Sequence, residues 1–163
     1  MTRHRLTNEA WGFDSNCFVC EPRNATGLRI PFFHDDESEL VVAEFTLDDS
    51  FSGAPSYVHG GVTLAVLDEA QAWATIAVCG KFAVTSETTT RFHRPVHVGR
   101  TFSVQATVTD QPDGQICTRA ELRSQSGKLC AETTAVFAVL SEATAVDAIG
   151  ADLDTIGREH LRD

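Results

Sequence analysis

Hydrophobic and polar residues follow two distinct patterns along the chain. From residue 60 to residue 78, apolar side chains occur nearly all the way round a helix, which is typical of a helix enclosed by other structure. Ala and Leu in this segment favour a helix, and Gly80 supplies a stop just after it. Elsewhere apolar and polar residues alternate, as they do in strands with one buried face. The pattern predicts one core helix covered by a sheet.

Six segments have the alternation or composition of strands. They are residues 28–33, 39–47, 82–94, 101–109, 115–125 and 128–140. An acidic turn at residues 34–38 joins the first two into a hairpin, and residues 51–58 form a loop that leads to the helix. The sequences Pro112-Asp113-Gly114 and Ser126-Gly127 are typical of hairpin turns. The predicted order is β-β-α-β-β-β-β, an α+β fold in which a long antiparallel sheet curls around one hydrophobic helix.

The length of 163 residues suits a single domain. We expect an N-terminal lead-in at residues 1–27, of which 1–16 form an arm or a short helix, the sheet-and-helix domain at 28–140, and a tail at 141–163. In that tail, Leu153, Ile156 and Leu161 either form a loosely docked helix or stay mobile. No apolar run reaches the ~18–20 residues of a membrane span, and the polar first residues lead into no signal-peptide core. We therefore expect a cytoplasmic protein with no membrane partner.

The net charge of −10 argues against a nucleic acid partner. One stretch differs, because Glu87 is the only acid between residues 81 and 100. Its basic side chains are Lys81, Arg91, Arg94 and Arg100, with His93 and His97 among them. Two interpretations stay open: a binding site for a small anionic ligand such as a phosphate-bearing carrier, or the solvated face of a strand.

The five cysteines are an odd number without the spacing of a disulfide framework, which predicts reduced thiols. Cys17 and Cys20 form a C-x-x-C sequence. A zinc site needs two further ligands at suitable spacing, and no second cysteine pair follows. We therefore expect small buried thiols and no metal.

Two acids, Asp68 and Glu69, interrupt the apolar helix, where an ionised carboxylate is costly to bury. They are neighbours, so they point roughly 100° apart and cannot both face one substrate. At the helix start, Gly60 and Gly61 let a ligand approach backbone N–H groups that have no partner in the helix. Such donors suit a carbonyl oxygen that becomes negative during acyl transfer.

The spacing of these groups predicts an assembly. Gly60 and Asp68 are separated by roughly 12 Å along the helix, and the Asp side chain recovers only about 2–3 Å of that distance. A base or nucleophile and an oxyanion donor must both lie ~3 Å from the reacting carbonyl. One helix cannot provide both. Two antiparallel copies related by a two-fold axis can, so we expect a dimer or a multiple of dimers.

These residues resemble a known family. The string His59-Gly60-Gly61, followed nine positions after the histidine by Asp68, is similar to the motif of hotdog-fold acyl-CoA thioesterases of the phenylacetate-degradation (PaaI-like) type. The block from Thr85 through Arg91-Phe92-His93-Arg94-Pro95-Val96 to Gly99 is similar to the strand after the helix in that family. The lead-in Cys17-Phe18-Val19-Cys20, with Asn24 and Gly27-Leu28, resembles that of many members. The resemblance covers roughly residues 16–140.

The resemblance implies an enzyme that hydrolyses an acyl-CoA thioester to a free acid and coenzyme A, works as a homodimer or homotetramer, and needs no cofactor beyond the coenzyme A of its substrate. Asp68 matches the acid that attacks the thioester or activates a water. The Gly60 N–H matches the oxyanion donor across the dimer interface. Thr85 matches a hydroxyl that positions the water or the acid. His59 matches the motif histidine, which either fixes the helix start or transfers a proton.

Other roles and interpretations stay open at this stage. Substrate contacts are expected from Gly61, Glu69, Arg91, His93 and Arg94, with the nucleotide over residues 91–100. One alternative is a non-catalytic acyl-CoA sensor or scaffold, in which Asp68 is only satisfied by neighbouring backbone groups. An enoyl-CoA hydratase is a weaker alternative, because such hotdog enzymes usually pair a catalytic His with their acid in a different motif.

Overall fold

The fold was analysed in a computed structural model that describes residues 2–12 and 14–150. The described strands are β1 (Arg3–Leu6), β2 (Phe32–Asp35), β3 (Leu40–Thr46), β4 (Ser52–Ala54), β5 (Tyr57–Val58), β6 (Ala83–Phe92), β7 (Thr101–Asp110), β8 (Gln115–Ser124) and β9 (Leu129–Val139). The α-helices are α1 (Gly60–Ala77) and α2 (Glu142–Ile149), and 3-10 turns lie at Glu9–Trp11 and Asp49–Phe51.

Seven strands form one antiparallel sheet in the order β1-β2-β3-β7-β8-β9-β6, and β4 with β5 forms a separate small hairpin. The prediction of a long antiparallel sheet around one main helix is confirmed. The two predicted turns join β7 to β8 and β8 to β9, and each pair is antiparallel. β6 pairs with β9 rather than with β7, which follows it in the chain. This leaves β6 at one edge of the sheet.

The central helix α1 supplies much of the core. Val66, Leu67, Ala70 and Ala74 are fully buried, and Trp73 is 2% exposed. The strands β7, β8 and β9 cover this helix with the alternate residues that the sequence assigns to one face. The buried members of that face are Phe102, Val104, Ala106, Ile116, Thr118, Ala120, Leu122, Ala131, Thr133, Ala135 and Phe137. After the helix, Gly80 adopts a φ of 64° and donates its N–H to Ile76 O over 2.9 Å, which ends the helix where the sequence indicates.

The first residues of the chain contain a strand that the sequence does not reveal. β1 pairs with β2 from Arg3↔Asp35 to Leu6↔Phe32. Only Leu6 of the four β1 residues is buried, so the segment lacks the apolar alternation on which strand prediction depends. The lead-in arm therefore adds a strand to the sheet.

β2 begins later than the predicted strand at residues 28–33. Leu28 and Ile30 donate their backbone N–H groups to Phe18 O and Val19 O, over 2.7 and 2.9 Å. Leu28 and Ile30 are buried, so this part of the chain has the apolar composition of a sheet strand. Its backbone partners, however, lie in the lead-in segment and not in the sheet.

The C-terminal segment begins with a helix. Ser141 caps α2 by accepting the Thr144 N–H at its hydroxyl, and Ala145 is 4% exposed. Leu153, Ile156 and Leu161 lie outside the described residues, so the prediction of a docked or mobile tail stays untested there. Among the described residues, no helix combines the length and apolarity that crossing a membrane demands.

Candidate functional site

The start of α1 is shaped by His59. His59 is the N-cap residue, with φ −58° and ψ 136°, and its Nδ1 accepts the Gly61 N–H over 2.9 Å. A Cβ on Gly53 would lie 3.0 Å from His59 Cα, so a side chain there would require the backbone of His59 to shift by a few tenths of an ångström. As an acceptor, Nδ1 of His59 carries no proton, and the contact fixes the entry into the helix. The structure thus places His59 as a helix cap.

The backbone N–H of Gly60 is available to a ligand. Gly60 is the first residue of α1, is exposed, and makes no N–H hydrogen bond within residues 2–12 and 14–150. The Gly61 N–H, by contrast, is engaged by His59. Phe92 Cζ lies 4.0 Å from the point where a Cβ of Gly60 would stand, which leaves room beside this amide. Of the two glycines, Gly60 carries the free donor.

Asp68 lies two turns further along α1 and contacts Thr85 of β6. Thr85 Oγ1 donates a hydrogen bond to Asp68 Oδ1 over 2.7 Å. Thr85 is exposed and Asp68 is half-buried, so the pair opens to the surface of this chain. Asp68 Oδ2 makes no hydrogen bond to the residues that the structure describes. One carboxylate oxygen is held in place and the other remains free.

A β-bulge follows Thr85 directly. In the pairing of β6 with β9, Thr85 faces Phe137 and Glu87 faces Val136, so Ser86 is the extra residue. The Ser86 hydroxyl donates to Val136 O over 2.9 Å and fixes the bulge. Bulges often turn a side chain next to a functional site. Here the bulge lets Thr85 point towards the helix while the next residues keep their pairing.

Glu69 points away from the pair formed by Asp68 and Thr85. Its Oε1 lies 3.3 Å from Cys17 Sγ in the lead-in segment. Burial, and after it the charge of the nearby Cys17, raises the pKa of Glu69 to about 8. The structure therefore separates the two adjacent acids, as expected for neighbours on a helix. The predicted contact of Glu69 with substrate stays a prediction.

Cys17 and Cys20 lie beside Glu69. One possible ligand atom from each of these three residues lies within 4.8 Å of the other two. The hydrogen bond with Cys20 lowers the pKa of Cys17, and the same bond together with burial raises the pKa of Cys20. Sequence reasoning missed this cluster, because Glu69 is 52 positions from Cys17 and no spacing rule joins them.

The basic residues after α1 take different positions. His93 Nε2 lies 3.0 Å from Glu132 Oε1, and this hydrogen bond lowers the pKa of Glu132. Arg94 donates from Nη1 to Leu129 O over 2.6 Å, which fixes its guanidinium at the start of β9. Arg91 is exposed on β6. Only Arg94 of the three predicted substrate contacts lines the neighbouring cavity.

That cavity has a volume of about 730 Å³ and lies between the loop after β6 and the turn from β8 to β9. Its basic side chains are Arg94, Arg100 and Lys128. Within the described residues, no acid lines it. Lys128 lies outside the basic stretch predicted between residues 81 and 100, and only the fold brings it to this cavity. We call this cavity the basic groove.

Val84 and Phe92 flank the candidate site on β6. They are 50% and 55% exposed, although both are large and apolar. β6 is also an edge strand with no partner on its outer side among the described residues. An exposed edge with apolar side chains is a feature that proteins usually cover. The surface around Gly60 and Thr85 therefore has the properties of an interface.

Comparisons with known proteins place the chain in context. The sequence profile of the thioesterase superfamily matches residues 56–131. A solved thioesterase superfamily protein gives a TM-score of 0.71 at 25% identity, over 80% of this chain. The match spans 64% of that relative's length. No curated protein matches the chain.

Two further solved structures are similar. The PaaI protein from the phenylacetic acid degradation operon of E. coli gives a TM-score of 0.59 at 25% identity, over 63% of this chain and 74% of its own. A hypothetical thioesterase from Streptococcus pneumoniae TIGR4, solved with coenzyme A, gives a TM-score of 0.60 over 63% of this chain and 82% of its own. Its identity is 16%, so this likeness shows the fold alone.

Proposed function

We propose that the chain, whose residues 56–131 match the thioesterase superfamily and which has the hotdog fold, hydrolyses an acyl-CoA thioester to a free acid and coenzyme A. The observation that carries this proposal is the hydrogen bond of Thr85 Oγ1 to Asp68 Oδ1 on a surface that also presents the free N–H of Gly60. These groups provide an acid held in place and an oxyanion donor, the two elements that thioester hydrolysis requires.

Asp68 is the residue proposed to act on the bond. As a general base, its free oxygen takes a proton from water while the water oxygen bonds to the thioester carbon. As a nucleophile, it forms an anhydride with the acyl group that water then hydrolyses. In both cases the carbon–sulfur bond breaks and coenzyme A leaves as a thiolate, which needs little help from an acid. Both routes stay open in the proposal.

Gly60 is proposed to stabilise the negative charge that develops on the carbonyl oxygen. Its N–H lies at a helix start, where the positive end of the helix dipole also favours negative charge. Gly61 is a poorer candidate, because its N–H already bonds His59. Asp68 of the same chain is roughly 12 Å away along the axis, so the two groups must come from different copies.

The proposed assembly is a dimer, or a dimer of dimers, built on the face that carries β6. Val84 and Phe92 would be covered there, which accounts for their exposure in a single chain. The Phe92 ring next to Gly60 would then contribute to the acyl pocket. Two equal sites result from the two-fold symmetry, each with Asp68 and Thr85 of one copy and Gly60 of the other.

The coenzyme A part of the substrate is proposed to lie along the basic groove. Arg94, Arg100 and Lys128 provide positive charge there, on a protein whose net charge is −10. Guanidinium groups bind phosphates well, and no acid in the described lining opposes them. Arg91 and His93 stay predicted contacts on the neighbouring strand. The cytoplasmic location also stays a prediction.

The direct test is to incubate purified protein with short, long and aromatic acyl-CoAs and to measure free coenzyme A by chromatography. Asp68→Asn should abolish most turnover, whereas Asp113→Asn, in the exposed turn after β7, should leave it unchanged. No turnover with any acyl group would overturn the proposal. Tight binding without turnover would instead indicate a sensor, and a change in enoyl-CoA absorbance would indicate a hydratase.

A second test concerns the site shared between copies. Two variants, Gly60→Pro and Asp68→Asn, should each be nearly inactive as homodimers. In a purified heterodimer of the two, one site combines both substitutions and the other has none, so about half of the wild-type activity should return. If Gly60 and Asp68 acted within one chain, every site would carry one defect and no activity would return.

A further inference from the structure

The lead-in segment contains a turn that presents two thiols to the middle of α1. Residues Cys17 to Cys20 end in a turn, and the Val19 N–H donates to Cys17 Sγ over 3.3 Å. Backbone N–H groups that donate to a ligating sulfur are outer partners of the kind that orient metal ligands. The C-x-x-C spacing also lies in the range that zinc sites typically use.

The turn is held in place by the rest of the lead-in segment. Gly27 lies so close to it that an added Cβ would meet Phe18 O at 2.6 Å. Asn24 donates from Nδ2 to Asn16 O over 3.0 Å, and Leu28 N–H donates to Phe18 O over 2.7 Å. The backbone that carries the two thiols is therefore held by contacts outside the thiols themselves.

Glu69 supplies a third ligand that the sequence analysis did not have. Its Oε1 lies 3.3 Å from Cys17 Sγ, and the possible ligand atoms of Cys17, Cys20 and Glu69 all lie within 4.8 Å of one another. Zinc binds sulfur at about 2.3 Å and oxygen at about 2.0–2.2 Å. In a tetrahedral site, these bond lengths place the ligand atoms roughly 3.5–3.8 Å from one another. The three atoms can reach one ion with shifts of about 1 Å or less.

No positive side chain neutralises this group. Glu69 forms no ion pair within residues 2–12 and 14–150. The nearest arginine in the sequence, Arg23, is engaged by Glu21 and Asp14 over 2.6 Å each. Three groups that can each become negative thus share one half-buried place, and no cationic side chain of the described residues pairs with them.

We propose that Cys17, Cys20 and Glu69 bind one Zn²⁺ ion per chain, with water at the fourth position. Two thiolates select a thiophilic ion over Mg²⁺ or Ca²⁺, and one carboxylate completes a set that zinc accepts. The ion ties the lead-in segment to α1 at the residue next to Asp68. The proposed ion does not depend on the proposed thioesterase activity. It replaces the earlier expectation of two inert thiols.

The experiment uses the full chain, purified with a phosphine reductant and freed of metal with a chelator. Zn²⁺ is added and its binding measured by native mass spectrometry and by competition with a chromophoric chelator. We expect one ion per chain. Cys17→Ser, Cys20→Ser and Glu69→Gln should each weaken Zn²⁺ binding at least about tenfold. Loss of a residue that only orients a metal ligand already costs about that much, so loss of a ligand should cost no less. Cys117→Ser, at a half-buried thiol on β8, should bind as the wild type does.

A second measurement needs no variant that might misfold. Zn²⁺ should protect Cys17 and Cys20 of the wild-type chain from alkylation, located by peptide mass spectrometry, and should leave Cys117 unprotected. Binding of no ion by the reduced chain, equal protection of Cys117, or unchanged affinity in Glu69→Gln would each overturn the proposal. None of these outcomes involves acyl-CoA turnover, so they leave the proposed enzyme function to its own test.

Discussion

Replacing Gly60 with proline tests the proposed oxyanion donor with little disturbance of the fold. Proline removes one backbone N–H and suits the first position of a helix. The residue before a proline must be extended, and His59 already has φ −58° and ψ 136°. The cap from His59 Nδ1 acts on Gly61 and not on Gly60, so it survives the substitution. The change therefore removes one donor and keeps the helix start.

The expected loss follows from what such a donor contributes. Removing one oxyanion donor typically lowers kcat by about 10²–10³, or roughly 2.7–4 kcal/mol of transition-state stabilisation. Gly60→Ala is the matched control, because it keeps the N–H and its Cβ meets Phe92 Cζ at an ordinary contact distance of 4.0 Å. We expect this control to retain most of the wild-type activity, because the oxyanion donor is kept.

The assay is the rate of coenzyme A release from the best acyl-CoA, measured over a range of substrate concentrations. Thermal unfolding of both variants, which should agree with the wild type, checks that the fold is intact. If Gly60→Pro hydrolyses substrate as fast as Gly60→Ala, the Gly60 N–H is not the donor and the proposed geometry is wrong. Reduced kcat with intact folding would support it.

Three further outcomes are expected. Thr85→Val removes the hydroxyl bonded to Asp68 Oδ1, so kcat/KM should fall by roughly 10- to 100-fold. As controls, Thr85→Ser should retain most activity, and Thr89→Val on the other face of β6 should change little. Equal activities for all three variants would contradict this role of Thr85. With chelator present, the folded wild type keeps a proton on Glu69 up to about pH 8 that the unfolded chain releases near 4.5. As the pH rises from about 4.5 to about 8, the free energy of unfolding of the wild type should therefore fall by up to about 1.4 kcal/mol per pH unit relative to that of Glu69→Gln. Urea titrations at a series of pH values measure both. If the two free energies change in parallel with pH, the pKa of Glu69 is not raised. Arg100→Ala should raise KM for acyl-CoA by up to about fivefold, an effect that added salt reduces, and an unchanged KM at low salt would exclude Arg100 from binding.

The sequence predicts the helices and strands in which hydrophobic residues recur with a clear period, and it misses those in which they do not. α1 is found because apolar residues surround it, and β7 to β9 because their alternation is regular. β1 is missed because only Leu6 among its residues is buried. β6 has a weak period because most of it is exposed at the edge of the sheet. A single sequence does not show which strand lies at the edge of the sheet.

The candidate site is only partly contained in the sequence. The free N–H of Gly60 follows from the rules for helix starts, and motif spacing points to Asp68. The spacing does not show that Thr85 bonds Asp68, because that contact depends on the pairing of β6 with β9 and on the bulge at Ser86. The contact of Glu69 with Cys17 likewise depends on how the lead-in segment folds back over α1. Both are long-range consequences of the tertiary fold.

The strands that cover much of α1 come after it in the sequence, so the ribosome completes the helix before it completes those strands. α1 is complete at residue 77, yet β7 to β9, which cover it, are finished only at residue 139. β6 also has to wait for β9, its sheet partner. During translation an apolar helix thus spends about sixty residues of elongation without the cover that β7 to β9 provide, and hydrophobic surface exposed in this way is prone to aggregate. A premature stop before β9 should yield an aggregating fragment rather than a smaller working domain.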